Sequence, residues 1–421
     1  MQVCTDTRSI TNNSLFIALK GSNFNANTFA LTALENGAKY VVVDEPEYQT
    51  SSKHFYVNDC LKALQQLSNY HRKQFTIPVL GITGSNAKTT HKELINAVLS
   101  EKFNVLYTMG NLNNHIGVPL TLLRLRKDHQ FAIIEMGANH QGEIHELCQI
   151  AEPTYGLITN IGKAHLEGFG GIEGVKKGKS ELYRFIQKTK GKIFLNGDDE
   201  VLQELSYGLE KFTYGRGLQN DILGKEDSTN ACVSYRFCAK SNFTNWDNIQ
   251  ILHTKITGQY NFINLLAASA IGIYFGVNEE LIKTALEKYE PNMNRSQLDK
   301  TNKNTLILDA YNANPDSMKV AIENFASFPA ENKLLLLGDM FELGEYSALE
   351  HKKIIELIKE KQFKNVCFVG GEFFKLAENS YLFFNSTATC LEYLKNKNIA
   401  GATILIKGSR SMKMETLKEV L

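Results

Sequence analysis

Residues 81–90 read GITGSNAKTT; they follow an apolar run over 77–82 and open a helical pattern near His91. Gly84, Ser85, Asn86, Ala87, Lys88, Thr89 and Thr90 have the make-up of a loop that holds phosphate. Backbone N–H groups at a helix start lack partners within the helix and lie along its dipole, so they attract an anion. Lys88 adds a compact positive charge, and Thr89 a hydroxyl suited to a divalent cation. Ala87 breaks the pattern. Loops of this kind carry glycine just before the lysine, because that position takes positive φ and must let a phosphate approach. An alanine held there costs about 1–2 kcal/mol. A second group follows the run 131–134, which delivers Glu135 at its carboxyl end. A carboxylate there, beside the phosphate-loop strand, can share a magnesium ion with Thr89 and the phosphates of a nucleotide. The next run, 156–160, ends in Thr159 and Asn160 and leads to His165 and Glu167. Taken singly, each has an ordinary reading: an acid at a strand end is commonly a cap, and a loop histidine commonly a hydrogen-bonding residue. The lysines of VKKGKSELYRF, 175–185, fit a solvated helix face, and Lys176 and Lys177 are read that way.

These residues need a scaffold that collects strand ends. Short β-branched runs recur at 79–83, 131–135, 156–160 and 192–196, separated by helical patterns. That alternation predicts a mostly parallel sheet covered by helices, with ligands at the carboxyl ends of its strands. Before it, runs at 15–19 and 40–43 flank an Ala-rich stretch and end in a polar helix over 65–73, a small α/β unit. The polar stretch 207–248 is expected to add an antiparallel edge. A small-residue helix over 262–276 follows, then a boundary near Pro291. Strands at 305–309, 333–337, 365–369 and 402–406 then predict a second parallel sheet.

Composition narrows the class. At 421 residues the chain is too long for one ordinary core and suggests two to four domains. A hydrophobic share of 43% with 22% charged residues is that of a soluble globular protein. The net charge of +1 gives no global pull toward nucleic acid or an anionic membrane, so phosphate recognition must be local. Seven scattered cysteines without a CxxC pair favour reduced thiols over disulfides or a zinc site. No apolar stretch reaches membrane-helix length, and the first residues lack a signal peptide's regions. A cytoplasmic monomer acting on small molecules is expected, without nucleic acid or membrane insertion.

Eight strings then fall in one order: TDTR at 5–8, the loop at 84–90, GNLNNHIGVPLTLL at 110–123, EMGANHQGEI at 135–144, NIGKAHLEGFG at 160–170, LDAYNANPDSM at 308–318, LGDMFELG at 337–344 and KGSRSMKME at 407–415. Together they closely resemble the bacterial Mur ligases. The resemblance implies an α/β protein of three domains. Residues 1–73 would hold the uridine diphosphate end of a substrate. Residues 74–290 would form a central phosphate-loop ATPase domain with a mostly parallel sheet, and 291–421 a Rossmann-like domain bringing D-alanyl-D-alanine and part of the ATP site. Among family members, NANPDS, LGDMFELG and KGSRSMKME fit the one that adds this dipeptide to UDP-N-acetylmuramoyl-tripeptide in peptidoglycan precursor synthesis. The implied reaction uses ATP and two magnesium ions: the tripeptide carboxylate becomes an acyl phosphate, which the dipeptide amine displaces. Two anions meet only if charge between them is neutralised, and Lys88 with the metal ions would do that.

By the same resemblance, Lys88, His165 and Lys179 are catalytic. Thr89 and Glu135 hold the first magnesium and His165 the second. Lys179 matches a lysine carbamylated by carbon dioxide in this family, a change that turns a cation into an anionic oxygen ligand. Asn261, Asn264, Arg295, Asp309 and Asn312 join residues 84–90 around ATP, with Tyr260 where a histidine is usual and Leu308 where a second acid is common. Asp6, Thr7, Arg8, Asn113, Asn114, Asn160, Asn314, Asp339, Lys407, Ser409 and Arg410 are placed on the other substrates. A Lys and Arg pair near a strand end suits a free terminal carboxylate. The segment 23–30, NFNANTFA, departs from the family's more acidic, His-bearing pattern. Two other readings remain open: a ligase adding a single amino acid, MurE-like or folylpolyglutamate synthetase-like, and a nucleotide-binding regulatory protein that lost catalysis through Ala87.

Overall fold

The computed structural model describes residues 1–227, 232–291 and 297–421. Three principal sheets follow one another along the chain. The first is wholly parallel, in the order Val3–Cys4, Ser14–Ile17, Ala38–Val43 and His54–Tyr56. The helix Cys60–Arg72 closes it, started by Asp59, whose side chain accepts from the Lys62 N–H. Cys60, Leu64, Ser68 and Arg72 recur at helical spacing and are buried. Arg72 donates to the carbonyls of Ala151 and Glu152, and Asn69 to those of Gln149 and Ile150, which fixes this helix against the second unit.

The central sheet has nine strands, in the order Leu252–Thr257, Cys232–Ala239, Ile222–Glu226, Glu210–Gly215, Lys192–Asn196, Tyr155–Ile158, Val79–Thr83, Phe131–Glu135 and Val105–Tyr107. Val79–Thr83 and Phe131–Glu135 are buried throughout, as continuous apolar runs covered on both faces must be. Val79–Thr83 lies between Phe131–Glu135 on one side and Tyr155–Ile158 on the other, both parallel to it. The chain reaches one flank before it builds the other, so a crevice opens at the carboxyl end of this strand, where the phosphate loop begins. The stretch 207–248 differs from expectation. Glu210–Gly215 and Ile222–Glu226 extend the sheet in parallel, and the expected antiparallel edge comes from Cys232–Ala239, which runs against both Ile222–Glu226 and Leu252–Thr257. Polar residues on these strands hid their direction.

The helix Phe262–Tyr274 packs on Lys88–Leu99, and its small residues allow a close approach: a Cβ on Gly272 would lie 2.5 Å from Val98 Cγ1. The third sheet runs Gln297–Lys300, Thr305–Leu308, Thr403–Lys407, Lys333–Gly338, Val366–Val369 and Leu382–Phe384, parallel except for the first strand. Its four interior strands match the sequence expectation to within two residues. The edge strands are short and partly exposed, and their pattern does not show in the sequence. All seven cysteines are free thiols. Among the described residues no helix is long and apolar enough to cross a membrane.

Candidate active site

The phosphate loop is built by what surrounds it. Gly84 has φ +140, and a Cβ there would sit 1.9 Å from Thr159 Oγ1, so only glycine fits. The segment 159–162 braces the loop from the neighbouring strand. Thr159 Oγ1 donates to the Asn86 carbonyl at 2.6 Å, Asn160 Oδ1 accepts from the Asn86 N–H at 3.0 Å, and Ser85 Oγ and Gly162 exchange bonds at 2.9 and 3.0 Å. Ala87 is held at φ 59, ψ 14, in the left-handed region, as the residue before the helix Lys88–Leu99. The loop therefore keeps the glycine conformation and carries the alanine under strain. Lys88 Nζ donates to the carbonyls of Gly84 and Ser85, at 2.8 and 3.2 Å.

Glu135 stands where the strand end predicts. Its carboxylate is 1% exposed, and both oxygens accept from Thr89 Oγ1, at 3.1 and 3.0 Å. Asn113 Nδ2 donates to Oε1 at 2.8 Å. These oxygens converge beside the phosphate loop. Among the described residues no three His, Cys, Asp or Glu side chains cluster as a metal site. The donor set is a hydroxyl and one carboxylate, hard oxygens in the small number that magnesium takes from a protein when phosphates and water complete its shell. These residues fit magnesium.

The loop and Glu135 open into a cavity of about 730 Å³ between the second and third sheets. From the central side it is lined by residues 85–90, Asn113, Asn114, Asn160, His165, Asn261 and Asn264; from the other side by Asp309, Asn312, Asn314 and Lys407. The parallel sheets deliver both sets from strand ends and the loops that follow. Lys407 ends its strand buried and pairs with Asp309 at 2.6 Å. Asn314 caps the helix Pro315–Ser327 with a reciprocal bond to Ser317, and its Nδ2 reaches across to Asn86 Oδ1 at 2.7 Å. His165, at φ 54, places Nδ1 2.5 Å from Glu342 of the third unit. The His165 imidazole beside it outweighs burial and holds the Glu342 carboxyl below the usual carboxylate range.

Lys179 ends the helix Ile172–Lys179 with no exposed surface. Its Nζ donates to the Ala138 carbonyl at 3.0 Å and lies 4.9 Å from the centre of the Phe169 ring. Burial, and after it the charge of Lys88, push its pKa well below the usual lysine value. Both effects work against the charged form.

Other expected residues lie elsewhere. Asp339 is buried, and its two oxygens accept from the backbone N–H groups of Glu372 and Phe373, at 2.9 Å each, so it serves as a local brace. Ser409 is also buried, accepting from the Phe341 N–H. Arg410 is exposed, beside the Tyr311 ring that lines the cavity. Asp6, Thr7 and Arg8 form a surface turn in which Asp6 and Arg8 pair with each other. None of these six lines the cavity. Arg295 lies outside the described residues. Sequence reasoning missed Glu143, Tyr311, Asp316 and Glu342, which do line it. For Asp316 the string NPDS was a signal, since an acid in the first turn of a capped helix points at what the helix faces.

Comparison with known proteins matches this arrangement. The family model described as Mur ligase middle domain covers residues 82–272, and that described as Mur ligase, glutamate ligase domain covers 294–410. A UDP-N-acetylmuramoyl-tripeptide–D-alanyl-D-alanine ligase from Bacillus subtilis is 35% identical over 99% of this chain and 92% of its own. The chain belongs to the Mur ligase family. Among solved Mur ligases, MurF of Acinetobacter baumannii superposes with a TM-score of 0.88 at 32% identity, over 99% of this chain and 92% of that one. The MurF ligase of Thermotoga maritima, solved in complex with ADP, gives 0.87 at 25% identity over 100% and 96%.

Proposed function

We propose that this Mur ligase joins D-alanyl-D-alanine to UDP-N-acetylmuramoyl-tripeptide with conversion of ATP to ADP and phosphate. What carries the reading is the single cavity in which Lys88, Thr89 and Glu135 of the central unit face Asp309, Asn312, Asn314 and Lys407 of the third. Relatives bearing that activity in their names, one of them solved with ADP, support it. Division of labour follows the expected boundaries: residues 1–73 hold the uridine end, 74–290 the ATP phosphates and the reacting carboxylate, and 291–421 the dipeptide and the ribose.

The loop N–H groups and Lys88 hold the β- and γ-phosphates, and Lys88 leaves the Gly84 and Ser85 carbonyls to do so. The tripeptide's terminal carboxylate oxygen bonds to the γ-phosphorus as the bond to ADP breaks. The dipeptide amine then bonds to the acyl carbon, phosphate leaves with the electron pair of the C–O bond, and the amine loses a proton. Thr89 and Glu135 would hold magnesium, which would neutralise phosphate charge there. His165, with Glu342 close beside its ring, would hold a second ion. Lys179 carries a carbamate: its neutral amine nitrogen bonds to the carbon of carbon dioxide and releases one proton. Closure of the second unit on the third excludes water from the acyl phosphate. Mass spectrometry of the product tests the proposal. The expected species is the UDP-linked pentapeptide formed with ADP; a product lengthened by one amino acid overturns it.

A further inference from the structure

Lys92 lies one helical turn beyond Lys88 and Thr89, on a helix whose later buried residues, Leu94, Ile95, Val98 and Leu99, are all apolar. Its side chain has no exposed surface. A lysine so placed needs a reason, because a buried ammonium without compensation costs several kcal/mol. Its Nζ sits 3.0 Å from Glu93 Oε1 and 3.8 Å from Glu135 Oε2, with the Tyr107 ring centre at 5.8 Å, and it makes no hydrogen bond of regular geometry. Glu93 is partly exposed and Glu135 is buried. The ammonium is therefore shared unequally between a carboxylate that keeps some contact with solvent, at 17% exposure, and the buried one beside the phosphate loop.

We propose that Lys92 is the resident counter-charge of Glu135, a positioning residue that neutralises this carboxylate while no divalent cation is bound and limits how tightly one is held afterwards. The inference rests on the reading that Glu135 and Thr89 receive the nucleotide's magnesium. Without a cation, Glu135 would be a buried carboxylate facing only hydroxyl and amide dipoles, from Thr89 and Asn113. Lys92 supplies the missing charge. When a divalent cation reaches Glu135 it meets repulsion from the ammonium, and Glu93 gives that ammonium a second place to sit. The pair Lys92 and Glu93 thus sets the balance between a stable empty site and release of metal-bound ADP.

The two members must then act in opposite directions, which a merely structural ion pair would not do. The readout is the ratio of ADP affinity with saturating magnesium to that in EDTA, measured by calorimetry on the full chain, with thermal stability recorded in both conditions. In wild type, magnesium is expected to strengthen ADP binding; no effect there would overturn the magnesium reading and this proposal with it. Lys92→Met should lower the melting temperature of the nucleotide-free protein and recover much of that loss with magnesium and ADP, while raising the ratio about fivefold. Glu93→Gln, which keeps size and shape, should let the ammonium move onto Glu135 and lower the ratio about threefold with ADP affinity in EDTA unchanged. If Lys92→Met does not fold, the Glu93→Gln result decides alone. Equal stability loss in all conditions, or a ratio unmoved by Glu93→Gln while wild type responds to magnesium, shows that Lys92 only packs the helix.

Discussion

Ala87 is the residue at which local physics and function pull apart. The helix start requires φ 59, and alanine accepts it at a cost of about 1–2 kcal/mol. Ala87→Gly relieves that strain but loosens the unfolded chain by about 0.4–1 kcal/mol. The expected outcome is a protein equal to wild type or up to about 1 kcal/mol more stable, with ATP turnover kept or improved; a large loss of turnover would show a loop remodelled around alanine. Lys88→Met should cut turnover about 100-fold or more while leaving the melting temperature nearly unchanged, since Lys88 lines the cavity and its loss removes charge stabilisation directed at the phosphates. Lys88, Thr89 and Glu135 were legible from residue type and place at strand ends and the loop, whereas His165 entered only through the family resemblance. The φ of Ala87 was not, because two backbone solutions fit the same letters and only the bracing by Thr159 and Asn160 selects one. Lys92 was hidden too: a lysine four positions from Lys88 reads as a solvated turn until the neighbouring strand brings Glu135 to it.

Among elements, the helix Pro315–Ser327 ties a secondary-structure signal to the site. Asn314 is at once its cap and the partner of Asn86 in the phosphate loop. Asn314→Ala should cost about 1 kcal/mol of stability, from the lost cap, and should also raise the KM for ATP. Asn314→Ser keeps the cap, so stability near wild type with the KM still raised would separate the two roles; a KM unchanged in both variants would remove Asn314 from the site. Interior strands were legible because burial on both faces demands unbroken apolar runs, as in Phe131–Glu135. Edge strands such as Gln297–Lys300 alternate exposure and carry charges, which a sequence reading assigns to loops. Asp339 shows the converse. Its string matched a ligand-binding pattern, yet its carboxylate is spent on the N–H groups of a following turn.

At the scale of the whole molecule, the cavity exists because the second and third units are clasped across it. The Lys163 N–H donates to Asp316 at 2.6 Å and its Nζ pairs with Glu350 at 2.8 Å, beside the contacts of Asn86 with Asn314 and His165 with Glu342. Burial raises the Glu350 carboxyl, but its bonds to Lys163 and Lys353 outweigh that and hold it below the usual range. A depressed carboxylate stabilises the form that makes the pair above its unfolded pKa, and that contribution is lost as pH falls through the lowered value. Lys163→Ala should therefore widen the ligand-free protein in solution scattering at neutral pH and raise the KM for ATP about two- to fivefold, and acidification below the carboxylate range should erase the difference in scattering. The sequence singled out several of these residues but not their pairing across the clasp, since the partners lie more than a hundred residues apart. The motif order, through the family it resembles, carries the expectation that three units serve one reaction. Phosphate release by the purified protein, with each component omitted in turn, tests that claim most directly. Release that needs ATP, magnesium, the UDP-linked tripeptide and D-alanyl-D-alanine together is the result expected, whereas nucleotide binding without release, or release that proceeds equally with a single amino acid in place of the dipeptide, would contradict it.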